Sequence, residues 1–344
     1  MKMYINVTIL LFFIANSYCA QNWAELSSVE FSDVQRSLMQ SREFVVIKKD
    51  LKIPATQVLF SWNVVRPGRG KYLFSMQVYD ETVRRWSNWS KVAEWGKDAQ
   101  RSFEGNYSNE PSFFYVRWQV PEGRFVRQCR VKIESIGGAT LDNLYRLSFA
   151  AINYPLFLSE IPYAKRISYP SIQIKQVPPI SQMEVQHTEA HRICSPTSLS
   201  MVVSYLNRQY EAPEVFAEGA YDRGLEAYGS WPFNVAHAFD RCKCRYFFSV
   251  TRLNSFAEIY EHVRQRLPLV ISVRGAMHTM PEGKTYKDGH LLVVVGWDND
   301  RKEVLCYDPA FSSSKQVAHA YLIGDFLKAW ERSGRLAYVI EKRA

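Results

Sequence analysis

The sequence predicts a two-domain α+β protein: an N-terminal antiparallel β-sandwich or jelly roll, followed by a domain in which a helix precedes an antiparallel sheet. Three observations carry this expectation. Up to about residue 152, short β-branched or aromatic runs alternate with Gly- and Pro-bearing turns. A stretch holding Pro155, Pro162, Pro170, Pro178 and Pro179 follows. Beyond Ile180, an apolar run of helical spacing gives way to continuous apolar strands. The composition agrees. A chain of 344 residues suits one or two domains, and 47% apolar residues can build a sizeable core, which excludes a disordered or fibrous protein. Six cysteines in such a length do not make a disulfide scaffold. The formal charge of +9 admits an anionic partner without choosing one.

Residues 1–20 read as a secretory signal peptide: Met1-Lys2, an apolar core from Ile9 to Ala15, then small and polar residues up to Ala20. Cleavage there gives an exported protein, periplasmic or secreted. Lipid attachment at Cys19 is the alternative, and the bulky Tyr18 before it counts against that. The apolar run falls short of the roughly 20 residues a membrane-spanning helix needs, so no transmembrane segment is expected.

Residues 21–165 form the sandwich and the start of a linker. Phe44 to Ile47, Tyr72 to Tyr79 and Phe113 to Val120 read as strands, separated by turns at Arg66 to Gly70, Pro121 to Gly123 and Gly137-Gly138. Six tryptophans fall here: Trp23, Trp62, Trp86, Trp89, Trp95 and Trp118. Exposed, such rings bind sugars by stacking, which points to a glycan or cell-wall polymer. Buried, they fill a core, the commoner use of large aromatics. The five prolines between Asn153 and Ile180 predict an extended connector with a boundary near 165, because proline fixes φ and lacks an N–H.

Residues 166–344 carry the second domain. A helix is predicted over Ser195 to Tyr205, with Pro196 in the first turn, where its missing N–H costs nothing. Further helices are expected at Phe256 to Arg266 and Ile323 to Arg332, and strands at Leu269 to Val273, His290 to Trp297, Glu303 to Tyr307 and Leu336 to Ile340. The second and third of these strands make a hairpin across Asp298 to Arg301.

The chemistry concentrates in this domain. Cys194 immediately precedes the first helix, where the dipole and open backbone N–H groups favour a thiolate. His290 opens one strand of the hairpin and Asp308 follows the other, so antiparallel pairing brings the two together. A cysteine at a helix start beside a His–Asp pair is an arrangement suited to nucleophilic catalysis.

From Gln173 to Ile340 the sequence resembles the exported peptidase C39-like proteins, relatives of the bacteriocin-leader peptidases with a papain-like cysteine peptidase fold. The carrying motifs are Val177-Pro178-Pro179-Ile180-Ser181-Gln182, Ile193 to Val202, Tyr228 to Asn234, Asp288 to Gly296 and Tyr307-Asp308-Pro309-Ala310. The β-rich first half also resembles the domain ahead of this peptidase in some members. The resemblance implies Cys194 as nucleophile, His290 as general base and Asp308 as its orienter. It further implies an upstream glutamine whose amide completes an oxyanion hole with the Cys194 N–H: Gln182 by context, with Gln186 in reserve. Ser195 stands where the bacteriocin-leader peptidases carry Gly, so their double-glycine preference is not carried over.

Other features are weaker. Cys242-Lys243-Cys244 is too closely spaced for a zinc pair, and pairing among Cys129, Cys242, Cys244 and Cys306 stays open. Trp231 and Asn234 shape either the cleft or the core. The sequons at Asn88 and Asn106 matter only in a glycosylating host. No Gly-rich phosphate loop and no metal-ligand spacing is present, so no cofactor or metal is implied, and scattered basic residues give no nucleic-acid partner. The expected function is an exported cysteine hydrolase acting on a peptide or other amide bond. The alternative is a cell-envelope protein whose sandwich binds a wall polymer or glycan and whose peptidase-like domain is inactive or acyl-transferring.

Overall fold

The computed structural model describes residues 22–97, 99–105, 110–159 and 167–343. The signal-peptide segment with Cys19, the Asn106 sequon and the 165/166 boundary lie outside them. In chain order the first half contains β1 (Ala24–Glu30), α1 (Asp33–Met39), β2 (Phe44–Ala55), β3 (Gln57–Val64), β4 (Lys71–Asp80), β5 (Arg85–Trp86), β6 (Ser90–Gly96), β7 (Arg101–Ser102), β8 (Ser112–Phe114), β9 (Arg117–Gln119), β10 (Val126–Ile136), β11 (Leu144–Ile152) and α2 (Tyr154–Ser159). The second half contains β12 (Ile172–Gln173), α3 (Cys194–Asn207), α4 (Pro213–Ala220), α5 (Trp231–Arg241), β13 (Tyr246–Arg252), α6 (Phe256–Arg264), β14 (Leu269–Val273), β15 (His290–Asp298), β16 (Glu303–Tyr307), β17 (Ala318–Leu322), α7 (Ile323–Arg332) and β18 (Leu336–Lys342).

Two antiparallel sheets, ordered β1-β11-β3-β9-β8 and β2-β10-β4-β6-β7, face each other across an aromatic core. Trp62 stacks on Phe74 at 4.8 Å and Phe60 meets Phe74 edge-on at 5.8 Å. Trp23, Trp62, Trp95 and Trp118 are fully buried, so the core reading holds for these four; Trp86 lies under Arg130, and Trp89 is exposed. The segment expected to be one strand, Phe113 to Val120, is instead a tight hairpin. Tyr115 and Val116 both take left-handed φ, near 49° and 55°, and the Tyr115 N–H donates to the Glu104 carboxylate. Local strand propensity lost there to the turn that pairs β8 with β9.

The third sheet has the order β13-β18-β14-β15-β16-β17, with β12 pairing β15 beyond the end of β14. Helix α3 packs against β14 and β15 and is buried on nearly every side, which explains its apolar sequence. Its serines are satisfied: Ser200 donates to the Thr197 carbonyl and Ser204 to that of Ser200 within the helix, while Ser198 donates across to that of Leu291 on β15. The proline-rich stretch, expected to be a plain connector, also holds α2 and β12.

The two halves share an interface built like a core. All eight residues of β3 are buried. Val58, Phe60, Trp62 and Val64 face the sandwich core, while Leu59, Ser61 and Asn63 face the second domain. A strand buried on both faces loses its alternation, as this one has. Asn63 acts as a substitute strand for β13, the edge of the third sheet. Its Nδ2 donates to the Phe248 carbonyl at 2.9 Å and its Oδ1 accepts the Phe248 N–H at 2.8 Å. Ser61 Oγ accepts the Val250 N–H at 3.2 Å, and the Ser148 and Ser249 hydroxyls meet at 2.8 Å. Phe233 of α5 wedges edge-on against Trp62 at 5.3 Å.

Asn63→Ala leaves both backbone groups of Phe248 unpaired in a dry interface, and two such groups are worth about 2–4 kcal/mol. Urea denaturation of the variant is expected to show a loss of that size. A loss under about 0.5 kcal/mol, the range of an ordinary surface change, would refute the edge-capping role.

Candidate active site

Cys194 is the first residue of α3, and no side chain caps that helix. The N–H groups of Cys194 and Ser195 therefore sit at the open positive end, and Pro196 contributes none. The chain enters β15 through Gly289, whose φ of 92° demands glycine, and this turn places His290 at the first strand position. Asp308 follows β16 directly, and β15 and β16 pair antiparallel as expected.

His290 Nε2 lies 2.8 Å from Asp308 Oδ1, and the same imidazole is close enough to Cys194 to favour ionisation of its thiol. With Nε2 on the carboxylate, Nδ1 is the ring nitrogen left for sulfur. His290 and Asp308 are buried, while Cys194 is half-buried.

The Asp308 carboxylate carries its charge in the interior because four donors meet it. Oδ1 accepts from His290 and from the Ala310 N–H at 2.9 Å; Oδ2 accepts the hydroxyls of Tyr286 and Tyr321, each at 2.7 Å. Burial alone would raise its pKa, but the His290 charge, its hydrogen bond and the two hydroxyls outweigh that and hold it at about 2. Burial likewise disfavours a charged His290, and the Asp308 charge and hydrogen bond, with the contact to Cys194, overcome it and raise the imidazole to about 10. For Cys194, burial opposes ionisation, yet the hydrogen bond and charge of His290, with a backbone hydrogen bond from Leu291, bring the thiol below its ordinary value. The other four described cysteines go the opposite way, each raised by burial. All five described cysteines are free, so none of the pairings left open in the sequence is formed.

Gln182 is buried and Gln186 exposed. The Gln182 backbone N–H donates to the Pro309 carbonyl at 2.9 Å, next to Asp308, and its Nε2 donates to the Ala190 carbonyl at 2.8 Å. The second Nε2 hydrogen is not used by that bond. Ser181 and Glu184 stitch the same segment to Phe311 and Ser314. Asn234 is a structural residue: buried, it donates to the carbonyls of Tyr228 and Ser230. Trp231 packs partly buried between the two cores.

Tyr286 and Tyr321 were not legible in the sequence. Tyr286 lies in the 16-residue connection between β14 and β15, and Tyr321 on β17. Their convergence on Asp308 exists only in the fold, and the nearness of Tyr286 to the Asp288-Gly289-His290 motif was the one available signal. The sandwich also reaches this region. Asp222 accepts from the Ser102 N–H and hydroxyl at 2.8 and 2.7 Å, and from the Ser230 hydroxyl at 2.8 Å. It thereby holds the 222–230 loop, which contacts the segment upstream of Cys194 through Arg192 and the Glu226 carbonyl.

The model of the Peptidase_C39 like family matches residues 174–338. The C-terminal half is thus similar to that family over 174–338. The matched segment contains Cys194, His290 and Asp308 and leaves the sandwich outside. A crystal structure described as a candidate C39-like peptidase from Bacillus anthracis aligns over 51% of this chain and 100% of that chain, at 18% identity and a TM-score of 0.39. No curated protein sequence matches the chain significantly. Among the described residues, no helix is long and apolar enough to cross a membrane.

The buried pair gives a pH signature. Asp308 sits below the unfolded carboxylate value of about 3.9, so its contribution to stability is present above about pH 4 and fades as pH falls toward 2. His290 sits above the unfolded value of about 6.5, so its contribution is complete below that pH and fades as pH rises toward 10. The stability difference between the protein and Asp308→Asn, from urea midpoints, is therefore expected to peak between about pH 4 and 6.5. A difference constant from pH 3 to 9 would show that no ion pair forms.

Proposed function

We propose that the protein is an exported cysteine hydrolase cleaving a peptide or other amide bond with Cys194 as nucleophile, His290 as general base and Asp308 as the group that orients the base. The observation that carries this reading is the buried His290–Asp308 hydrogen bond beside Cys194, which stands at an uncapped helix start with its thiol pKa lowered by the His290 charge. Similarity to a peptidase-like family supports a peptide substrate. The signal-peptide reading of residues 1–20 supports export.

The roles follow from the chemistry. His290 takes the thiol proton, leaving a thiolate beside an imidazolium that Asp308 stabilises. The thiolate attacks the substrate carbonyl carbon, and its oxygen becomes an oxyanion. The Cys194 N–H and the free N–H of the Gln182 amide are the donors for it; the burial of Gln182 and its tie to Pro309 favour it over the exposed Gln186. The imidazolium then protonates the leaving amine as the carbon–nitrogen bond breaks. His290 next removes a proton from water, which attacks the thioester and frees the acid and the thiol.

Cys194→Ala is expected to abolish hydrolysis in a screen of peptide substrates, and Gln182→Ala to lower kcat by about 10²–10³, the usual cost of one oxyanion donor. Alkylation by iodoacetamide at pH 6, mapped by peptide mass, should fall on Cys194 ahead of Cys129, Cys242, Cys244 and Cys306. Activity surviving in Cys194→Ala would sink the reading.

A further inference from the structure

We propose that Tyr286 is a positioning residue, and that through it the 274–289 loop holds His290 and Asp308 in the geometry that activates Cys194. This rests on the triad reading above. Two separate contacts converge on that one side chain. Its ring lies flat on the His290 imidazole, with centroids 4.1 Å apart and planes 14° from parallel. Its hydroxyl donates to Asp308 Oδ2 at 2.7 Å. One residue thus touches both partners of the His–Asp pair, fixing the plane of the imidazole and one lone pair of the carboxylate.

The backbone shows that this placement is enforced. Tyr286 has a φ of 43°, in the left-handed region that a side chain of this size rarely adopts, and such a conformation persists only where the surroundings hold it. Here the Tyr286 carbonyl accepts the Gly275 N–H and the Gly289 N–H, each at 3.1 Å, so one oxygen ties the two ends of the loop together. Gly289 immediately precedes His290. The loop body is anchored elsewhere, by the His278 N–H on Asp325 at 3.3 Å and by Thr279 against His319 at 3.0 Å. A shift of the loop therefore reaches the triad through Tyr286.

The contact also has a preference of charge state. An aromatic face favours a cation lying against it, and a hydroxyl donor favours an ionised carboxylate. Both stabilise the imidazolium–carboxylate arrangement that accompanies the thiolate. The other titratable groups facing the triad are Tyr321 and His319 of β17, Cys306 of β16 and Tyr338 of β18. The two tyrosines and Cys306 are raised by burial and His319 is lowered by it, so none supplies a charge at neutral pH.

The test uses the full-length protein and iodoacetamide. The rate of Cys194 alkylation is followed from pH 4 to 9 by peptide mass in the parent, Tyr286→Phe and Tyr286→Ala, with thermal melts as a check on folding. The parent should show an inflection well below the ordinary thiol value of about 8.5. Tyr286→Phe keeps the ring face and loses one donor to Asp308; its inflection should rise by about one unit, with roughly tenfold slower alkylation at the acid end. Tyr286→Ala loses both contacts and should shift further. A merely structural tyrosine would alter the melts and leave the profile in place. Variants with the parental profile overturn the positioning role while the triad stands. A parent whose Cys194 titrates as an ordinary thiol overturns the triad reading, and the positioning role with it.

Discussion

A carboxylate with no access to water is the constraint around which this molecule is arranged. An isolated buried charge is costly, and Asp308 is tolerable only because every lone pair has a partner. Those partners come from four places: the start of β15, the loop before it, β17 and the turn after β16. Satisfying one charge therefore fixes four segments relative to one another. The mouth of α3, where the sulfur sits, is held against the same point by the packing of α3 on β15. The geometry of the candidate site and local stability are here a single requirement.

Much of the C-terminal domain was legible because its elements are long and strongly patterned. The strands at Leu269–Val273 and Glu303–Tyr307 and the helix at Ile323–Arg332 have the bounds that periodicity gave them. Cys194, His290 and Asp308 were legible for another reason: each sits at the end of an element, where a turn motif marks it. What was missed has a physical explanation. The helices at Pro213–Ala220 and Trp231–Arg241 and the strand at Tyr246–Arg252 lie between recognised blocks, and α5 is stabilised by both cores at once, a circumstance no window of sequence contains. The two tyrosines on Asp308 belong to the same class, being long-range contacts of residues with no local pattern.

The first half is built of two facing antiparallel sheets, and it meets the second half through a buried interface as well as through the proline-rich connector. The run Val58-Leu59-Phe60-Ser61-Trp62 in β3 is too apolar for a strand with a wet face. The buried Ser61 and Asn63 are the polar residues that two packed layers require, since they answer the free backbone groups of an edge strand. The tryptophans follow the same logic: four are buried in the interior.

The Asn63–Phe248 contact spans 185 residues of sequence. During synthesis the chain emerges from its N-terminus, so β3 is complete long before the strand it serves exists. Until then its outer row of Leu59, Ser61 and Asn63 faces solvent, and the third sheet later meets a surface already waiting for its edge. Folding of the C-terminal half is thus a templated closure over a long chain separation, a kind of contact that forms slowly. The order of the two halves along the chain is then part of how the second one reaches its structure.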